Sequence, residues 1–125
     1  MENFGMNDIQ LEQYVTNIML EVGVPAHLKG YHYLREAIML SGKDMEAVTS
    51  VTKLLYPAVA KSFSTTDQKV ERAIRNAIEV SWMRGKCETF EALFGYSYQG
   101  GMHRPTNSEY IARIADKIRL DVKAM

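Results

Sequence analysis

Cysteine is almost missing from this chain: Cys87 is the only one in 125 residues. A disulfide-stapled scaffold is thereby excluded, and so is a Cys-rich zinc module; a lone thiol fits a reducing cytosol. Long apolar runs are missing as well, so nothing approaches the roughly 20 residues that cross a bilayer. The opening Met1-Glu2-Asn3-Phe4 has neither basic residues nor an apolar core, so it does not read as a secretory signal. A cytoplasmic protein without membrane contact is expected. Histidine is scarce: His27 and His32 lie close in sequence and His103 far away, with no Asp, Glu or His set at metal-ligand spacing. Gly100-Gly101 has no strand before it and does not read as a phosphate cradle. No metal and no cofactor are expected. No pair of titratable groups stands at catalytic spacing, so an enzyme is not expected.

Net charge of one sign is also lacking, since Lys plus Arg and Asp plus Glu both number 15. The balance hides a division. Residues 1–52 carry a net charge of −4, residues 53–86 carry +4, and residues 87–125 are neutral. Only the basic middle third suits a polyanion.

What is present is helical periodicity. No stretch alternates polar and apolar residues long enough for a strand. Leu11, Tyr14, Val15, Ile18, Met19 and Val22 recur at the spacing of one helix face, predicting a helix from Asp8 to about Val22 with Asn7 and Gln10 at its start and Gly23 and Pro25 beyond its end. Tyr31, Leu34, Ala37 and Ile38 mark a second helix ending near Gly42. Asp44 caps a third, which Pro57 should break or kink near Tyr56-Pro57 before a short helix through Phe63. The Gly- and Tyr-rich segment 95–105 reads as a loop, with a partner surface suggested at Tyr96 and Tyr98. Thr106 and Glu109 form a capping box for a final helix to about Val122. Trp82 and Phe90 are expected in the core, and the methionines as gap-fillers. The fold class is all-α: a compact bundle of about six helices, one domain over residues 1–125.

Residues 57–83 carry the pattern of a helix-turn-helix. Ala60 is small where the second helix must cross close to the first. Val59 and Phe63 face Val70 and Ala73, and Ser64-Thr65-Thr66 supply the turn, with Thr65 and Gln68 as a capping box. One face of the second helix holds Val70, Ala73, Ile74, Ala77, Ile78, Ser81 and Trp82. The other shows Gln68, Lys69, Glu71, Arg72, Arg75, Asn76 and Glu79. Fork-shaped arginines, a carboxylate and an amide early in such a helix are the groups that read base edges in a major groove. A merely solvated polar face is the competing interpretation.

The run Val70-Glu-Arg-Ala-Ile-Arg-Asn-Ala-Ile-Glu-Val-Ser-Trp-Met-Arg-Gly85 resembles the DNA-binding effector domain of stage-zero sporulation protein A, the response regulator that commits endospore-forming bacteria to sporulation. So do Gly23-Val-Pro-Ala-His-Leu-Lys-Gly-Tyr-His-Tyr-Leu-Arg-Glu-Ala37, Leu93-Phe-Gly-Tyr96, Pro105-Thr-Asn-Ser-Glu-Tyr-Ile-Ala112 and Ala115-Asp-Lys-Ile-Arg-Leu120. The similarity covers nearly the whole chain, without a counterpart of the family's phosphorylated receiver domain. The chain therefore reads as the effector half, binding DNA constitutively but weakly. The resemblance implies a six-helix domain that binds promoter boxes, activates some genes and represses others, and contacts the primary sigma factor of RNA polymerase. It places base reading on Glu71, Arg72 and Asn76, where relatives carry His at the last position. It places the sigma-factor contact between Gly85 and Phe94, with Gly85, Cys87, Thr89 and Phe94 as its residues.

In physical terms, Arg72 is expected to bond a guanine edge and Glu71 to accept from a cytosine amino group. Lys61, Thr66, Gln68, Lys69 and Arg75 are expected to hold phosphates and position the helix. One module makes a small interface, so a dimer or tandem pair on double-stranded DNA is expected. The alternative is a helical protein-interaction adaptor without DNA contact, which the neutral total charge favours and the basic middle third opposes.

Overall fold

In the computed structural model, which describes residues 6–95 and 104–124, seven α-helices and one π-helical turn are present among the described residues and no strand is. They are α1 (Asp8–Glu21), α2 (Lys29–Lys43), α3 (Met45–Thr49), the π turn (Val51–Leu55), α4 (Tyr56–Ser62), α5 (Asp67–Arg84), α6 (Cys87–Phe94) and α7 (Asn107–Ala124). The all-α architecture follows the periodicity. Asn7 and Gln10 form the reciprocal cap of α1, with the Gln10 N–H donating to Asn7 Oδ1 at 2.8 Å. Thr106 and Glu109 do the same for α7, at 2.9 and 3.1 Å. Asp44 accepts from the Glu46 N–H and starts α3. The segment 96–103, with Tyr96, Tyr98, Gly100, Gly101 and His103, lies outside the described residues.

Tyr56-Pro57 does not break the chain as its sequence suggests. The interruption falls earlier, at Ser50, whose backbone leaves the helical region (φ −134°, ψ 59°). The chain then winds through a π turn in which the Tyr56 N–H bonds the Val51 carbonyl, and Pro57 falls in the first turn of α4. Proline lacks an N–H, and its ring crowds the carbonyl four residues back. A wider turn just before it accommodates both features without ending the helix.

The largest fully buried side chains, Leu11, Met19, Leu34, Ile38, Leu55, Ile74, Ile78, Tyr110, Ile111, Ile114 and Ile118, come from α1, α2, the π turn, α5 and α7. Helix α2 runs through the centre, packed on α1, α5 and α7. Tyr31 and Tyr33 are both buried, and Phe90 packs against a half-buried Trp82. Met19 fills the core as expected, whereas Met83 is 80 % exposed.

One buried polar chain ties the bundle together. Ser81 Oγ donates to the Val22 carbonyl at 2.6 Å, which leaves the Tyr110 hydroxyl to donate to Ser81 Oγ at 2.7 Å. Burial pushes the Tyr110 hydroxyl well above the ordinary tyrosine range, so it stays a neutral donor. Tyr110→Phe keeps the Ser81–Val22 bond and removes one accepted bond. Its expected cost is about 1 kcal/mol in denaturant unfolding, with an unchanged m-value.

A second link joins α1 to α7. The Tyr14 hydroxyl and the Lys117 ammonium both donate to Asp121 Oδ2. The Tyr14 bond, followed by that from Lys117, holds the Asp121 carboxyl below its ordinary 3.8. Burial and then the Asp121 bond raise the Tyr14 hydroxyl from 10.0 to about 12. A lowered carboxyl contributes stability above its unfolded value and loses it as pH falls; a raised phenol contributes below its unfolded value and loses it as pH rises. The link should therefore be complete between about pH 4 and pH 10. The stability difference between the wild type and Asp121→Asn should shrink below about pH 4, as read by urea titrations across pH. A constant difference would show that the carboxylate charge plays no part.

Candidate nucleic-acid interface

Helix α4, the turn after it and α5 form the expected helix-turn-helix. Val59 and Ala60 are buried at the crossing. The end of α4 is closed by the Phe63 N–H on Val59 (3.1 Å), the Ser64 N–H on Lys61 (3.4 Å) and the Thr65 N–H on Ala60 (2.9 Å). The sequence lacks the glycine often found in such turns, and Ser64 takes the left-handed conformation itself, with φ 53°.

Two details differ from expectation. The cap of α5 is Thr66, whose Oγ1 accepts from the Lys69 N–H at 3.3 Å; Thr65 and Gln68 do not form a capping box. The reason is that the Thr65 N–H is already committed to closing α4. Phe63 does not fill the interhelical angle either. It is 42 % exposed and lies edge-on against Tyr33 of α2.

The polar residues of α5 divide between two flanks. On one, Lys69, Arg72 and Asn76 line an open groove of about 680 Å³ whose other wall is Lys29 and Tyr33 of α2. On the other, Glu71 is half-buried, with Oε1 3.6 Å from Arg75 and Oε2 3.5 Å from Asn107 Nδ2. Asn107 also donates to the Glu71 carbonyl (3.2 Å) and to the Tyr56 hydroxyl (2.8 Å). An amide nitrogen has two hydrogens, so the two shorter bonds use both and the carboxylate shares one. Burial raises the Tyr56 hydroxyl above its ordinary range, partly offset by the bond from Asn107. Glu71 and Arg72, adjacent in sequence, thus face different neighbours.

The ion pairs leave the groove wall itself without an acidic partner. Arg35, Lys43, Arg75, Arg104, Lys117 and Arg119 each have an acidic partner within 4.0 Å. Lys29, Lys69 and Arg72 have none among the described residues, and neither have Lys53, Lys61, Arg84, Lys86, Arg113 and Lys123; what sets the first three apart is that they line one groove. Gln68, Thr66 and Lys61 are exposed nearby on the helix start, its cap and α4. Lys29 escaped sequence reasoning because it lies in the acidic first third of the chain, where local charge gives no signal for it.

The segment after α5 is only partly a surface. Phe94 is 5 % exposed, stacked on Phe90 at 5.7 Å and against Tyr110 at 5.4 Å, so it supports this region from beneath and offers no face to a partner. Gly85 sits against Phe90, where a β-carbon would come within 2.0 Å of the ring. Thr89 is half-buried, and Cys87 opens α6. Among the described residues no three His, Cys, Asp or Glu side chains cluster as metal ligands, and no helix is long and apolar enough to cross a membrane.

A helix-turn-helix whose second helix presents an exposed polar front is the form found in DNA-binding transcriptional regulators. The match to known families is specific: the model described as "Sporulation initiation factor Spo0A C terminal" covers residues 15–118. The chain belongs to that family, the DNA-binding effector domains of sporulation response regulators, a family of regulatory domains and not of enzymes.

Proposed function

We propose that the front of α5 enters the major groove of a promoter box and reads it. Arg72 makes a bidentate bond to a guanine, Glu71 accepts from a cytosine amino group, and Asn76 makes a third base contact. Lys61, Thr66, Gln68, Lys69 and Arg75 hold phosphates and set the register. The observation that carries this reading is the unpaired charge: Lys69 and Arg72 share a concave wall with Asn76 and have no acidic partner among the described residues. A phosphate would neutralise Lys69, and a guanine edge would satisfy the donors of Arg72. The Arg75 end of the Arg75–Glu71 pair is exposed and such a surface pair is worth little, so a phosphate can compete for Arg75 at small cost.

Two copies would bind paired half-sites, because one module of this size buries a small area. Activation and repression would follow from where the boxes lie, with the sigma factor of RNA polymerase touching the segment that holds Gly85, Cys87 and the half-buried Thr89. The site of action would be the cytoplasm. The test is selection of bound duplexes from random oligonucleotides, followed by gel shifts of the winner at two salt concentrations. Enrichment of one short motif, bound more tightly at low salt, is the expected outcome. Failure to enrich any motif would leave the helical adaptor as the better account.

A further inference from the structure

We propose that Lys29, on α2, is a phosphate contact of the DNA interface, clamping the duplex backbone from the side of the groove opposite α5. The inference rests on the reading of α5 as a recognition helix and extends it to a residue outside the helix-turn-helix. Three observations place Lys29 there. Its side chain forms one wall of the groove whose other wall holds Lys69, Arg72 and Asn76. It is exposed and has no acidic partner among the described residues. Its position is fixed to α5 by the next residue: Gly30 lies so close to the Ala73 carbonyl that a β-carbon would come within 2.0 Å of the oxygen. A cation anchored beside such a crossing cannot drift from the recognition helix as one on a loop would.

The chemistry favours a phosphate over a base. A lysine ammonium is a strongly hydrated point charge without the planar fork that reads a base edge in two bonds. It lies across the groove from the base-reading flank, and a backbone strand running beside the inserted helix would occupy that gap. Such a contact adds to affinity and salt dependence while leaving sequence preference alone.

Gel-shift titrations of the selected duplex against salt provide the test, with wild type, Lys29→Ala, Lys29→Arg and Arg72→Ala compared side by side. Lys29→Ala should lower the slope of log affinity against log salt by about 0.9, so that a fourfold drop in salt strengthens the wild type about 3.5-fold more than the variant. Lys29→Arg should restore the slope, and base preference should stay the same in both. An unchanged slope in Lys29→Ala, with Arg72→Ala still altering base preference, would overturn the role of Lys29 alone. A changed preference at one base pair without a change of slope would overturn the phosphate assignment. If neither Arg72→Ala nor Lys29→Ala affects binding, the recognition-helix reading itself fails. Circular dichroism melts of each variant separate these outcomes from unfolding, which an exposed lysine should not cause.

Discussion

Gly30→Ala should cost about 2 kcal/mol or more and lower the melting temperature by on the order of 10 °C. Few single methyl groups would do as much damage. The added carbon would lie 2.0 Å from the Ala73 carbonyl oxygen, 2.7 Å from its carbon and 2.8 Å from Ala77 Cβ. Two of those three atoms are backbone, so no side-chain rotation relieves the clash and α2 must move away from α5. These two helices share a broad contact in the bundle. Alanine is the better helix former by up to ~1 kcal/mol, and that gain opposes the loss. The steric term prevails because interiors are close-packed and α2 is held on its other sides by α1 and α7. A thermal melt followed by circular dichroism reads the result; a melting temperature equal to wild type would mean that the helices do not approach as described. Because the same crossing sets Lys29 beside α5, DNA binding should weaken in Gly30→Ala even where the protein remains folded.

Arg72→Ala should weaken binding to the preferred duplex by about 1–3 kcal/mol and flatten discrimination at one base pair. The side chain is exposed and has no acidic partner among the described residues, so its removal leaves no orphaned charge in the protein and should barely move the melting temperature. Stability and recognition are thereby separable. A competition gel shift against duplexes altered one base pair at a time is the measurement. Equal weakening toward every duplex would reassign Arg72 to the phosphates. Glu71→Gln provides the contrast, since its carboxylate lies between Arg75 and Asn107 on the other flank. That substitution should change preference at a different base pair, because the two side chains diverge around the helix.

Much of the fold was legible in order along the chain because caps and periodicity act locally. Asn7 with Gln10, Asp44, and Thr106 with Glu109 each mark a helix start within four residues, and each is found in place. Local rules failed where two segments competed for one group. Thr65 has the chemistry of a cap, yet its N–H closes α4, so the cap passes to Thr66. Pro57 has the chemistry of a helix break, yet the π turn ahead of it absorbs the misfit. Phe94, which only the resemblance placed in the sigma-factor contact, packs against Phe90 and Tyr110.

The sequence by itself determined that this chain is helical, that residues 57–83 have the pattern of a helix-turn-helix, and that the second helix carries a polar front. Each of these is a matter of spacing within about 20 residues, where the 3.6-residue period and the turn chemistry act. Tertiary structure alone decided which charges remain unpaired and which share a groove. It brought Lys29 out of the acidic first third to stand opposite Arg72, and it carried Asn107 from the last helix to Glu71. Those placements depend on how closely helices pack, which at Gly30 is set by the absence of a single carbon.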